Sequence, residues 1–246
     1  MNKIPKILSV AGSDSGGGAG IQADIKAISF HKGYAMTVLT AVTAQNTLGV
    51  QEIFPLPKEI IKKQLESVMD DLTPDVIKTG MLADHETIEL ISEFIENKKI
   101  VVDPVMVATS GDRLIESSSV EAIMNFLIPN AYLVTPNIYE AEILSNIKII
   151  DLKTQIEAGK KILEHGAENV LIKGGHSKSE IIHDCLIQKD LKETIFKSKR
   201  LDSKNTHGTG CSLASSIATL LGRDFDIEAA TLSLIHISEP TRRSVI

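Results

Sequence analysis

Hydrophobic positions recur along this chain in two periods that alternate almost from end to end. Short β-branched runs predict buried strands, and longer segments with apolar residues three and four positions apart predict helices. In segment 58–71, for example, Ile60, Ile61, Leu65 and Val68 share one side. The predicted strands are 6–10, 38–43, 76–79, 100–103, 132–135 and 170–173. The predicted helices are 20–31, 58–71, 84–97, 118–127, 138–144, 153–165 and 212–221.

This alternation of strands and helices predicts an α/β fold with a largely parallel sheet and helices on both faces. Segment 181–201 differs, because two apolar runs flank the polar pair Lys189 and Asp190. That pattern predicts a β-hairpin, which we place at the edge of the sheet. No linker or repeat interrupts the chain, so we expect one domain.

Composition and charge narrow the functional classes. The net charge is −6 with acidic and basic residues interspersed, which disfavours a nucleic acid as partner. The chain opens without the apolar core of a signal peptide, and no apolar run is long enough to span a bilayer. The two cysteines, Cys185 and Cys211, have neither disulfide-framework nor metal-site spacing. We therefore expect a soluble cytoplasmic protein that binds no membrane.

Glycine and polar clusters follow six of the predicted strands, where sites of parallel α/β sheets gather. They predict a single pocket at the carboxyl edge of the sheet. The clusters are 11–20, 43–46, 78–81, 103–106, 135–140 and 173–176.

A further cluster, Gly208-Thr209-Gly210-Cys211, leads into the predicted helix 212–221. A glycine turn at a helix start points backbone N–H groups one way, at the positive end of the helix dipole. Such a turn suits a phosphate or a phosphoryl group in transfer. The thiol of Cys211 is expected to have a lowered pKa there. Alternatively, the glycines only cap a helix and the cysteine is a small buried residue.

The first glycine run fits neither a dinucleotide fingerprint nor a P-loop, because the acidic residue of the former and the Gly-Lys-Ser/Thr of the latter are missing. The run would let the backbone approach a flat ligand. Asp24, one turn into the next helix, could then accept a hydrogen bond from that ligand. The alternative is a first-turn acid that only favours the helix dipole.

Asn137 and Glu140 lie three residues apart where a strand turns into a helix. They could hold a hydrated Mg²⁺ that bridges nucleotide phosphates, or form a reciprocal helix cap. The two roles are compatible. Met81 and Met106 could be core residues or could wall an apolar slot for a ring. His207 is interpreted as structural.

Seven ordered segments together carry a family resemblance: 11–24, 40–47, 78–82, 103–106, 135–140, 173–176 and 205–211. They resemble the hydroxymethylpyrimidine/phosphomethylpyrimidine kinases of thiamine biosynthesis, which belong to the ribokinase-like superfamily. The similarity runs from about Lys6 to Ala230. It implies a three-layer α/β/α fold, a homodimer and two ATP-dependent phosphorylations. The first is of 4-amino-5-hydroxymethyl-2-methylpyrimidine, and the second converts the monophosphate to the diphosphate.

The resemblance also implies roles for individual residues. The pyrimidine would be bound by Gln45 and Asp24, with Met81, Met106 and Gly12 nearby. The anion hole would consist of Gly208, Thr209 and Gly210. The ATP phosphates would be bound by Asn137, Glu140, Lys173 and Thr206, and Mg²⁺ by Glu140 and Asp103.

Cys211 occupies the position at which sugar kinases of the superfamily have an aspartate base. A thiolate there could accept the hydroxymethyl proton, or the residue could only shape the site. Three alternative functions stay open. They are a pyridoxine or pyridoxal kinase, a binding protein without turnover, and, more remotely, a NAD-binding oxidoreductase.

The resemblance stops after Ala230. Positions 232–242 look like the conceptual translation of a sequencing-library adapter. We therefore expect residues 1–230 to form one kinase domain, truncated at its C-terminal end, and residues 231–246 to be a non-native tail. The alternative is a divergent native tail.

Overall fold

The computed structural model describes residues 4–106, 117–175, 180–200 and 207–235. Its nine strands are β1 (Lys6–Asp14), β2 (Tyr34–Asn46), β3 (Gly49–Pro55), β4 (Val76–Thr79), β5 (Lys99–Val102), β6 (Leu133–Val134), β7 (Asn169–Ile172), β8 (Ile181–Gln188) and β9 (Glu193–Lys199). They form one sheet in the order β3-β2-β1-β4-β5-β6-β7-β8-β9. The six strands from β2 to β7 in this order are parallel, whereas β3, β8 and β9 run antiparallel to their neighbours. The carboxyl ends of the parallel strands therefore share one edge.

The helices lie on both faces of the sheet. They are α1 (Gly20–Phe30), α2 (Lys58–Asp71), α3 (His85–Ser92), α4 (Ser117–Ala122), α5 (Ile138–Ser145), α6 (Leu152–Leu163), α7 (Thr209–Gly222) and α8 (Ile227–Ile235). A π-helical turn, Ile123–Leu127, and a 3₁₀ turn, Ile128–Asn130, extend α4. Within the described ranges, no helix is both long and apolar enough to cross a membrane.

Alternating side chains of the central strands feed two hydrophobic cores, as the pleat requires. Leu8 and Ile77 point into a core shared with α2 to α6, whereas Ile7 and Val76 point into a core shared with α1, α7 and α8. The result is a three-layer α/β/α arrangement. Small buried residues on α7, such as Ala214 and Ala218, let that helix pack closely against β1, β4 and β5.

The predicted fold class and the edge hairpin β8–β9 are confirmed. Strand β3 was not predicted, and the predicted end of α3 was wrong, because the helix ends at Ser92 rather than at residue 97. Helix α8 continues past residue 230 to Ile235, with Thr231 and Leu234 buried. The non-native origin of the tail stays a prediction, and residues 236–246 lie outside the described ranges.

Candidate active site

The start of α7 lies against the glycine-rich loop that follows β1. Gly208 is the residue before the helix and has a left-handed backbone, with φ of +76°. A Cβ at this position would overlap the carbonyl oxygen of Gly18. Only glycine adopts this left-handed backbone without strain and has no Cβ to collide with Gly18. The first turn of α7, including Thr209 and Gly210, presents the positive end of the helix dipole at this point. Thr206, predicted to bind the phosphates of ATP, lies outside the described residues.

A lysine lies beside this helix start. A Cβ on Gly210 would lie 3.2 Å from Nζ of Lys173 and 3.9 Å from Oδ2 of Asp103. Nζ of Lys173 is 2.9 Å from Oδ1 of Asp103, which also accepts a hydrogen bond from Oγ1 of Thr135 at 3.2 Å. Burial favours the neutral forms, but the ion pair outweighs it. The pKa of Lys173 is therefore raised and that of Asp103 lowered.

Asn137 and Glu140 form the reciprocal cap that their spacing predicted. Oδ1 of Asn137 accepts from the backbone N–H of Glu140 at 2.9 Å, and Oε2 of Glu140 accepts from that of Asn137 at 2.8 Å. Burial raises the pKa of Glu140 to about 7; Lys173 opposes this rise and Asp103 adds to it. Asn137 also bridges to Lys173 on the neighbouring strand end, so the cap and the lysine are adjacent.

Whether Mg²⁺ fits here depends on how many carboxylate oxygens of Asp103 and Glu140 are available to bind it. Over the described ranges, no group of three or more His, Cys, Asp and Glu side chains could hold a metal. Asp103 is paired with Lys173, and Glu140 is engaged in the cap. The two carboxylates therefore do not form a closed metal cage. They fit a hydrated Mg²⁺ whose other ligands are phosphate oxygens, which is the usual mode for this ion.

Asp24, which was predicted to bind the pyrimidine, lies inside the protein. Its side chain is fully buried, and Nζ of Lys78 lies 3.0 Å from each of its carboxylate oxygens. Oγ of Ser215 donates to Oδ1 and Oγ of Ser9 donates to Oδ2, both at 2.6 Å. With both oxygens engaged inside the protein, Asp24 is a structural anchor that joins α1 to β1, β4 and α7.

The other predicted substrate residues lie near the carboxyl ends of β1, β2, β4 and β5. The terminal methyl of Met81 occupies the space where Gly12 lacks a side chain. Met81 and Met106 are both buried, and Met106 belongs to the larger hydrophobic core. Gln45 is half-buried, and its Oε1 accepts from Oγ1 of Thr43 at 3.0 Å. Gln45 also exchanges two backbone hydrogen bonds of 2.8 Å with the hydroxyl of Ser15, next to the glycine-rich loop.

The expectation of a lowered thiol pKa at Cys211 was wrong. Loss of hydration raises the pKa of Cys211 to about 11. The ammonium group of Lys78 acts against this rise, but the carboxylates of Asp24 and Asp103 support it. Burial and the two acidic neighbours thus keep the pKa of this thiol above its usual range.

Comparison with known proteins identifies the family. A family model described as phosphomethylpyrimidine kinase matches residues 14–234. The chain belongs to this family. A hydroxymethylpyrimidine/phosphomethylpyrimidine kinase of Haemophilus influenzae is 41% identical over 94% of this chain and 88% of its own length.

Solved structures agree with this assignment. The crystal structure of phosphomethylpyrimidine kinase from Clostridium difficile has a TM-score of 0.85 at 43% identity, covering 96% of this chain and 99% of that one. A Staphylococcus aureus pyridoxal kinase in complex with AMP-PCP and pyridoxal also has a TM-score of 0.85, at 32% identity over 94% of this chain and 85% of that one. The protein is therefore a ribokinase-like kinase, which is a phosphotransferase.

The raised pKa of Cys211 in this kinase predicts a particular pH dependence of alkylation. The thiolate is the reactive form, so the rate with iodoacetamide should rise about tenfold per pH unit from pH 7 to pH 10. Peptide mass spectrometry would follow Cys211 separately from Cys185, whose buried thiol has a pKa raised to about 12 and should stay unmodified. A rate at Cys211 that levels off by pH 8 would show that its pKa is low.

Proposed function

We propose that this kinase phosphorylates 4-amino-5-hydroxymethyl-2-methylpyrimidine and then its monophosphate, with ATP as donor, in thiamine biosynthesis. Membership of the phosphomethylpyrimidine kinase family supports this substrate. The carrying observation within the molecule is the closeness of Lys173 to the start of α7, since its Nζ would lie only 3.2 Å from a Cβ placed on Gly210. A phosphoryl group there would meet a cation and helix N–H donors together. Phosphoryl transfer depends mainly on such positioning and charge stabilisation.

In the first step, the hydroxymethyl oxygen forms a bond to the γ-phosphorus and the bond from that phosphorus to the bridging oxygen breaks. ADP leaves, and the hydroxyl proton passes to water. In the second step, a phosphate oxygen of the monophosphate is the nucleophile, and ADP leaves again. Gly208, Thr209 and Gly210 stabilise the transferring group. Lys173 neutralises negative charge on the transferring phosphoryl group. Thr206 and the cap at Asn137 contribute to nucleotide binding.

When bound with ATP, Mg²⁺ would neutralise charge on the phosphate oxygens. Asp103 and Glu140 would hold its water ligands, since both carboxylates already have protein partners.

The pyrimidine would lie between the glycine-rich loop and the ends of β2 and β4. Nε2 of Gln45 is a donor suited to a ring nitrogen, and Met81 beside Gly12 offers an apolar contact for the ring. Asp24 has no part in this recognition.

A homodimer is part of the proposal. Phe54 of β3 and Val42 of β2 are directly opposite each other and exposed, and Leu48, in the turn between the two strands, is 87% exposed. An apolar patch at a sheet edge is a common site of association between subunits. Sedimentation equilibrium would measure the mass; a monomer at micromolar concentration would contradict this part.

The deciding experiment is incubation of the purified chain with Mg-ATP and the hydroxymethylpyrimidine, followed by mass spectrometry. Formation of both the monophosphate and the diphosphate is expected. Pyridoxal is tested in parallel, because a pyridoxal kinase shares this fold at 32% identity. Phosphorylation of pyridoxal alone would favour that second candidate. Binding of the pyrimidine without any ADP formation would indicate a protein without turnover.

Replacing Cys211 by serine should lower kcat by less than about tenfold. With a pKa of about 11, the thiol is almost entirely protonated at pH 7.5 and is poorly suited to accept a proton. Loss of a true general base would lower kcat by about 10²- to 10⁴-fold. Steady-state kinetics on Cys211→Ser separates the two cases, and a drop of the larger size would restore the base hypothesis.

A further inference from the structure

The acidic residue that ends β1 is engaged by the loop that follows it. The side chain of Asp14 is 2% exposed. Its Oδ1 accepts from the backbone N–H of Gly16 at 2.7 Å. Its Oδ2 accepts from those of Gly18 and Ala19 at 2.9 and 2.7 Å. These bonds close residues 14–19 into a compact turn, which we call the glycine loop.

The same carboxylate also holds a segment that is distant in sequence. Nε2 of His207 lies 2.9 Å from Oδ2 of Asp14, across 193 residues of chain. The imidazole packs on the backbone of Gly18, where a Cβ would collide with it. The next residue, Gly208, lies against the carbonyl oxygen of Gly18. The glycine loop and the start of α7 therefore meet at this one contact.

The charge on Asp14 makes the contact strong. Burial alone would raise the pKa of Asp14, but the bond from His207 and the three backbone N–H groups outweigh it and lower the pKa. Hydrogen bonds to an ionised acceptor are about twice as strong as neutral ones. With at least four donors on its two oxygens, the carboxylate is well satisfied within the protein.

We propose that Asp14 and His207 are a positioning pair that fixes the glycine loop relative to the start of α7. The inference rests on the proposed function, in which the loop lies on the pyrimidine side and the start of α7 on the phosphoryl side. In-line transfer requires the nucleophile and the phosphorus to be about 3 Å apart, and a displacement of about 1 Å can cost about 10²-fold in rate. Asp14 and His207 act through Gly18 and Gly208, not by contact with the reactants.

The test compares His207→Ala with His207→Gln, because the amide nitrogen of glutamine can take the place of Nε2. His207→Ala should lower kcat by about 10- to 100-fold, with KM for ATP changed less than about threefold. His207→Gln should recover kcat to within about fivefold of the unmodified enzyme. Asp14→Asn combined with His207→Ala should be no worse than the more impaired single variant, since the contact that His207→Ala removes is already weakened by the loss of the Asp14 charge.

Several results would overturn the pair. One is an unchanged kcat in His207→Ala, and another is a loss of kcat in His207→Gln as large as that in His207→Ala. A third is a loss of kcat that only follows the fraction of folded protein measured by circular dichroism. Failure of the unmodified enzyme to phosphorylate either ring substrate would instead refute the proposed function. In that case amide hydrogen exchange, which needs no activity, tests whether Asp14 and His207 position the glycine loop. Faster exchange at Gly16, Gly18 and Ala19 in His207→Ala, with β1 unchanged, would support it, and unchanged exchange would refute it.

Discussion

Gly208→Ala is expected to lower kcat for phosphoryl transfer by about 10²- to 10³-fold. The added Cβ would overlap the carbonyl oxygen of Gly18, and alanine is strained at a φ of +76°. The backbone must therefore shift at the start of α7, where the donors to the transferring group lie. Losing one such donor costs about this factor in other enzymes. Turnover is measured by mass spectrometry of the phosphorylated pyrimidine, on protein whose folding is verified by circular dichroism.

Two other glycines provide matched controls for this substitution. Among the described residues, a Cβ on Gly175 meets no atom within 4 Å, so Gly175→Ala should fold and melt like the unmodified enzyme. A Cβ on Gly210 would lie 3.2 Å from Nζ of Lys173, the end of a flexible side chain that can move aside. Gly210→Ala should therefore have an intermediate effect. If Gly208→Ala kept full turnover, the proposed anion hole would be wrong.

Much of the fold could be predicted because the parallel strands are buried on both faces. Their continuous apolar runs stand out from the amphipathic helices between them. Segments 58–71 and 76–79 have the predicted bounds. Strand β3 was missed because it is an edge strand in which Gln51, Glu52 and Phe54 are all exposed. Without a buried face, no periodic signal separates such a strand from a loop.

Site features that depend on short spacings could also be predicted. The cap at Asn137 and Glu140 is one, since residues three apart meet at a helix start. The buried ion pair of Asp24 could not be predicted, because its partner Lys78 is 54 residues away and its burial arises only from tertiary packing. The pKa of Cys211 depends on the same packing. The rule for helix starts omits the desolvation and the carboxylates that act on this thiol.

Replacing Lys78 by methionine should lower the free energy of unfolding by about 3–5 kcal/mol. Lys78 and Asp24 are both fully buried, and their pair, with Ser9 and Ser215, joins β1, α1, β4 and α7. Burial would lower the pKa of Lys78, but the carboxylates of Asp24 and Asp103 raise it, so the lysine is charged. Methionine fills similar space but leaves the Asp24 carboxylate without its counter-charge, and breaking a buried pair from one side costs about this amount. Urea unfolding followed by circular dichroism would measure the change.

Two further variants determine whether the unpaired charge is the cause. The double variant Asp24→Asn with Lys78→Met removes both charges and keeps an amide that can bond to Ser9 and Ser215, so it should regain most of the lost stability. Lys148→Met makes the same substitution in the exposed pair with Glu142, where the lysine side chain is 79% exposed, and should cost less than about 1 kcal/mol. If the double variant were as unstable as Lys78→Met, the loss would come from packing around position 78. Recovery of stability in the double variant would instead show that the unpaired charge of the buried Asp24 carboxylate causes the loss. Lys78 would then stabilise the fold by neutralising that charge.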